Sequence, residues 1–185
     1  MSTATKEISA TPLLRSHEVS RAENYLHLTR DKLFEAVSGL DATQWHFKPD
    51  PERWSIAEIV EHVAIIEGRV HMVVGKMPEA PPVEGGHNEV EVDEIVYVQV
   101  PRRDRKVKAP PQVEPANQWP PEESLRSFTE ARARTIQLLK DSPNLRGRVL
   151  PHPVFGPWDG YQWIAAAAGH SARHTEQILE VKARF

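Results

Sequence analysis

Proline constrains this chain more than any other residue. Of its sixteen prolines, nine fall between Pro78 and Pro121. Inside a helix, proline removes a backbone donor and clashes with the carbonyl one turn back, at a cost of about 3 kcal/mol or more. The stretch 78–120, which also holds the Gly85-Gly86 pair and many charges, is therefore no regular helix. It must be a long crossover between helical segments, and a connection of that length in a compact protein is expected to wrap over a site as a lid. Pro49 and Pro51 break the chain once before it, and Pro143 once after it.

The segments between these breaks carry helical periodicity. From about Ser16 to Leu40, the positions Ala22, Leu26, Thr29, Leu33, Ala36 or Val37, and Leu40 step by three and four, and Gly39 ends the pattern. Asp41 followed by Gln44 has the form of a capping box and predicts a short turn. Ser55 with Glu58 opens a second helix to about Lys76, with Ile59, Val63, Ile66, Val70, Val73 and Met77 as its apolar stripe. Pro121 stands at the first turn of a third, with Glu122 and Glu123 against its positive end. There Leu125, Phe128, Thr135, Ile136 and Leu139 face inward with Arg132 in their midst, so that arginine either extends its head to solvent or pairs with a carboxylate. A turn-rich apolar loop, Leu150 to Trp158, leads to a fourth helix capped by Asp159 and Gln162. Its expected inward stripe is Trp163, Ala167, His170, His174, Gln177 and Val181. Val92 to Val100 reads either way: Ile95-Val-Tyr-Val favours a strand, while Asp93-Glu94 could cap a short helix. Four amphipathic helices and one long crossover predict an all-α four-helix bundle, a single domain over 1–185 with residues 1–15 as a flexible arm and the Pro-rich crossover between helices two and three.

Composition removes whole classes of chemistry. The chain has no cysteine, so disulfides, thiolate metal sites and a cysteine nucleophile are excluded. A net charge of −3 gives no general attraction to nucleic acid, and the one basic cluster, Arg102 to Lys108, reads as a solvated loop. The N-terminus lacks the apolar core of about 7–15 residues that a signal peptide needs, and no run approaches the ~20 apolar residues of a membrane span. The expectation is a soluble, cytoplasmic protein without nucleic-acid or membrane partners. Bundles with exposed apolar edges commonly form symmetric dimers, and a homodimer through helices one and three is compatible with this pattern.

Two histidines then stand where apolar side chains are expected. His170 and His174, at i and i+4, lie one above the other on one helix face, the spacing at which both imidazoles reach one ion. On the second helix His62 sits at the edge of the buried stripe, one turn beyond Glu58. In a bundle such side chains converge, and His62, His170 and His174 would present three imidazoles to a single divalent metal ion with a position left open, as catalytic rather than structural sites do. Zinc, nickel and iron all suit that ligand set. Such an ion can activate water, polarise a carbonyl or hold a thiol. A zincin is excluded, because Ser171 occupies the place of the glutamate in His-Glu-x-x-His. Any general base must come from elsewhere, with Glu58 the first candidate and His152 the second; Arg173 and Gln177 are supports for the site. Because the ligands must be deprotonated, metal is expected to be lost below about pH 6.

Trp54-Ser-Ile-Ala-Glu58-Ile-Val-Glu-His62, then His152-Pro-Val-Phe-Gly156, Gln162-Trp163 and His170-x-x-Arg173-His174-x-x-Gln177-Ile178, in this order and spacing, resemble the signatures of the DinB/YfiT-like superfamily. The likeness runs from about Arg30 to Val181. It implies a four-helix bundle with a three-histidine metal site on His62, His170 and His174, and a short helix followed by extended chain within the crossover. Many members of that superfamily are labelled metal-dependent hydrolases, and some characterised ones transfer or isomerise substrates joined to low-molecular-weight thiols such as bacillithiol or mycothiol. The expected function is thus a metal-dependent enzyme acting on a small molecule, either a hydrolase or a thiol S-transferase. The alternative is a non-catalytic metal-binding or interaction bundle in a stress response.

Overall fold

The computed structural model describes residues 13–83, 87–104 and 108–185. Four long helices form the bundle: α1 (Ser16–Val37), α3 (Ile56–Val74), α5 (Pro121–Asp141) and α6 (Gly160–Lys182). A short α2 (Ala42–His46) lies between the first two, and α4 (Glu89–Glu94) lies in the crossover. The expected capping boxes close reciprocally. The Asp41 side chain accepts from Gln44 N, Ser55 from Glu58 N and Asp159 from Gln162 N, and each returning side chain accepts from the N-cap amide. Most of the N-terminal arm, Gly85-Gly86 and part of the basic cluster lie outside the described residues.

Helices α3 and α5 pack together, α6 packs on both α1 and α3, and α1 also meets α5. The ring order is therefore α1, α6, α3, α5, with the first two long helices diagonal to each other. Apolar layers fill the bundle: Leu26, Val70, Leu139 and Ile164 toward one end, Leu33, Val63 and Phe128 in the middle, and Ile59, Val60 and Ile178 toward the other. Arg132, fully buried, pairs with Glu67 through two bonds of 2.8 and 2.9 Å and also donates to Leu26 O, Thr29 Oγ1 and Ser171 Oγ. One guanidinium on α5 thus ties the other three long helices together, and of the two roles open to Arg132 the structure selects pairing.

Two expectations need correction. The buried arc of α6 is wider than expected and centred elsewhere: Ala167, His174 and Val181 of the expected stripe are buried, but Ile164, Ala168, Ser171, Thr175 and Ile178 are buried as well, whereas Trp163, His170 and Gln177 are only half-buried on the flank. The alanine block makes this possible, because small side chains let α6 be enclosed on both its bundle face and its crossover face. Secondly, Ile95 to Gln99 is not extended chain. It continues α4 as a turn of π-helix, with Val96 fully buried. At Gly169 a Cβ would stand 3.0 Å from Val96 O and 3.1 Å from Val100 Cγ1, so the absent side chain is what allows the crossover to lie this close to α6. The loop before α6 also pairs, as a small antiparallel hairpin of β1 (Leu150–His152) and β2 (Gly156–Trp158), where Gly156 takes φ 87°.

Candidate metal centre

His62 comes from α3 and His170 and His174 from the flank of α6, the faces that these two packed helices turn toward each other beneath the crossover. The structure brings all three together. One ring nitrogen from each lies within 4.8 Å of the others, and His62 Nε2 is 3.1 Å from His170 Nε2. Two ligands of a tetrahedral ion with bonds of ~2.0–2.1 Å are roughly 3.3 Å apart, so this separation suits a shared ion. Trp54, just ahead of the α3 cap, covers the rings, its centroid 4.9 Å from that of His62 and 6.2 Å from that of His174.

The hydrogen bonds around the cluster determine which nitrogens are free. His62 Nδ1 lies 2.6 Å from Val113 O and His174 Nδ1 lies 2.9 Å from Gln177 Oε1. Both partners are acceptors, so both histidines carry their proton on Nδ1 and leave Nε2 unprotonated, the arrangement metal-ligating histidines adopt. His170 Nδ1 is buried with no hydrogen-bond partner among the described residues. The cluster is also held neutral. Burial pushes His62 below its ordinary range, and it pushes His170 and His174 well below, aided by the neighbouring imidazoles. Three neutral imidazoles whose ring nitrogens converge, one of them with a buried nitrogen lacking a partner, fit a divalent cation.

The two candidate bases are engaged by other partners. Glu58 Oε1 accepts from Lys48 Nζ at 2.8 Å and Oε2 from Ser55 N at 2.7 Å, so its carboxylate closes the α3 cap and an ion pair. His152 stacks on Trp158 at 3.9 Å, and its Nδ1 accepts from the Val154 and Phe155 amides, so it holds the hairpin turn. Burial lowers its pKa to about 4. Neither presents a free basic atom to the three histidines. The crossover lies over the histidines, as its length suggested, but the atoms it contributes were not legible in the sequence. Val113 O is a backbone atom without a side-chain signal, and Arg103, in a run that reads as solvated, donates to Gln177 Oε1 at 3.1 Å.

A profile of the DinB superfamily matches residues 25–178. The chain is 28% identical over 160 residues to the uncharacterized protein YuaE of Bacillus subtilis strain 168, across 84% of this chain and 94% of that one. Its fold is similar to that of YfiT from Bacillus subtilis, described as "a probable metal-dependent hydrolase with an unusual four-helix bundle topology", with a TM-score of 0.64, 17% identity and coverage of 97% of this chain and 93% of that one. No helix among the described residues is long and apolar enough to cross a membrane. The chain belongs to the DinB superfamily.

Proposed function

We propose that the chain is a metal-dependent hydrolase of a small molecule, with one divalent ion held by His62, His170 and His174. The observation that carries this reading is the convergence of three neutral imidazoles, two with Nε2 freed by an oxygen at Nδ1. The description of YfiT supports it. A divalent ion held there supplies Lewis acidity for hydrolysis. The protein's own contribution is to orient the ligands, through Val113 O and Gln177 at their Nδ1 atoms and through Trp54 packed on the His62 and His174 rings. Zinc, nickel or iron would each serve.

A second reading is S-transfer with a low-molecular-weight thiol, which a three-imidazole divalent ion could bind as the thiolate. The test begins with metal content. Protein prepared without a histidine tag should hold about one equivalent of a divalent metal, and His170→Ala should lose it; equal content in the two proteins overturns the proposal. Metal-loaded protein is then assayed on ester and amide panels with and without added thiol. Chelator-sensitive turnover without thiol supports the hydrolase, and thiol-dependent loss of an electrophile supports the transferase. A metal-loaded protein inactive on both panels indicates a non-catalytic bundle.

A further inference from the structure

Gln177 Oε1 receives two hydrogen bonds, from His174 Nδ1 at 2.9 Å and from Arg103 Nη1 at 3.1 Å. Arg103 belongs to the crossover, and its guanidinium is fixed by a fork on Glu180, with Nε to Oε1 at 3.1 Å and Nη2 to Oε2 at 3.0 Å. Arg53 donates to the same carboxylate at 3.0 Å. The direction of each bond follows from what the groups can do. A guanidinium only donates, so the Gln177 atom facing it must be the carbonyl oxygen. That oxygen can only accept from His174, so His174 must carry its proton on Nδ1 and leave Nε2 unprotonated. A glutamine amide without such a partner can rotate by half a turn and offer its NH2 group. His174 would then accept at Nδ1 and place its proton on Nε2, the atom a metal needs.

We infer that Arg103 is a positioning residue for the metal centre: by fixing the Gln177 amide it locks His174 in the tautomer whose Nε2 can bind a metal ion. This rests on the reading of the three histidines as a metal site. It also makes the crossover part of that site on two sides, through Val113 O on His62 and through Arg103 on His174.

The test compares Arg103→Met with the wild type by competition for Zn2+ against a chromophoric chelator, and by long-range 1H–15N correlation of the His174 ring in metal-free protein. Loss of an outer hydrogen-bond partner typically weakens metal binding 10- to 100-fold, and a loss of about tenfold is expected here, together with a shift of His174 toward the Nε2-protonated form. Adding Gln177→Glu to Arg103→Met should restore both, because a carboxylate accepts in either orientation; Arg103→Lys, which retains a donor, should stay close to wild type and control for folding. A merely structural role for Arg103 would show no such rescue. Unchanged affinity and unchanged tautomer in Arg103→Met overturn the inference. A wild type that takes no Zn2+ overturns the metal reading instead, while the tautomer measurement still decides the lock.

Discussion

Arg132 uses all five guanidinium N–H groups inside the bundle, on Glu67, Leu26 O, Thr29 and Ser171. Its presence among apolar positions was legible in the sequence. Its partner was not, because Glu67 falls beside the Ile59, Val63, Ile66, Val70 stripe and reads as a solvent-facing charge until α3 is rotated to bury Val60, Val63, Glu67, Val70 and Val74. Removing one member of a buried pair leaves an uncompensated charge and costs about 3–5 kcal/mol, whereas an apolar replacement of both can be neutral. Glu67→Leu should therefore lower unfolding stability by about that amount in urea titration, and Glu67→Leu with Arg132→Met should recover most of the loss. Ser171, one of the arginine's partners, follows His170 directly, so the single variants should also loosen the metal centre.

At the scale of elements, α6 was legible in its start, its length and its two histidines, since capping and i,i+4 spacing are local properties. Its rotation was not, because alanine and glycine satisfy any face and only the neighbours decide which is covered. Gly169 shows how tight that choice is. Gly169→Ala should gain about 1 kcal/mol of helix propensity but push against Val96 O and Val100, where overpacking costs about 1–3 kcal/mol. The expected outcome is a lower melting temperature, with faster hydrogen exchange at Val96 to Val100 than elsewhere. Exchange unchanged in that segment would show that α6 and the crossover are not in close contact there. The crossover's helical turns were half legible for the same reason: Val92 to Val100 has strand propensity, and burial of Val96 against α6 outweighs it.

Over the whole molecule, distant parts of the chain are joined by Arg146, which pairs with Glu18 at the start of α1, Asp93 in the crossover and Asp159 at the cap of α6. Burial opposes the charge on Glu18, but hydrogen bonds from Arg15 and Arg146 outweigh it and hold the carboxyl at about 2 against an ordinary 4.5. Its stabilisation is present above pH 4.5 and lost as pH falls toward 2. His152, held neutral by burial with a pKa of about 4 against 6.5, stabilises above pH 6.5 and loses that contribution as pH falls toward 4. Asp159 works the other way, because burial pushes it up to about 6. The measurement is consequently made on variants: relative to wild type, His152→Gln should flatten the stability curve between pH 6.5 and 4, and Glu18→Gln should flatten it below 4.5. Curves parallel to wild type in those windows would show that neither group titrates as its surroundings dictate.

The sequence by itself determined that there are four long helices, where they begin, that a proline-rich crossover separates the second from the third, and that three histidines lie near buried stripes. These follow from backbone chemistry, capping and periodicity, which act over a few residues. Only the tertiary structure decided that α1 and α3 lie diagonally, that α6 buries Ile164, Ala168, Ser171 and Ile178 in the bundle while its two histidines meet His62 of α3, and that the crossover supplies Val113 O and Arg103 to the three-histidine centre. Those outcomes depend on which surfaces bury each other and on single hydrogen bonds between residues far apart in the chain, for which no local pattern exists.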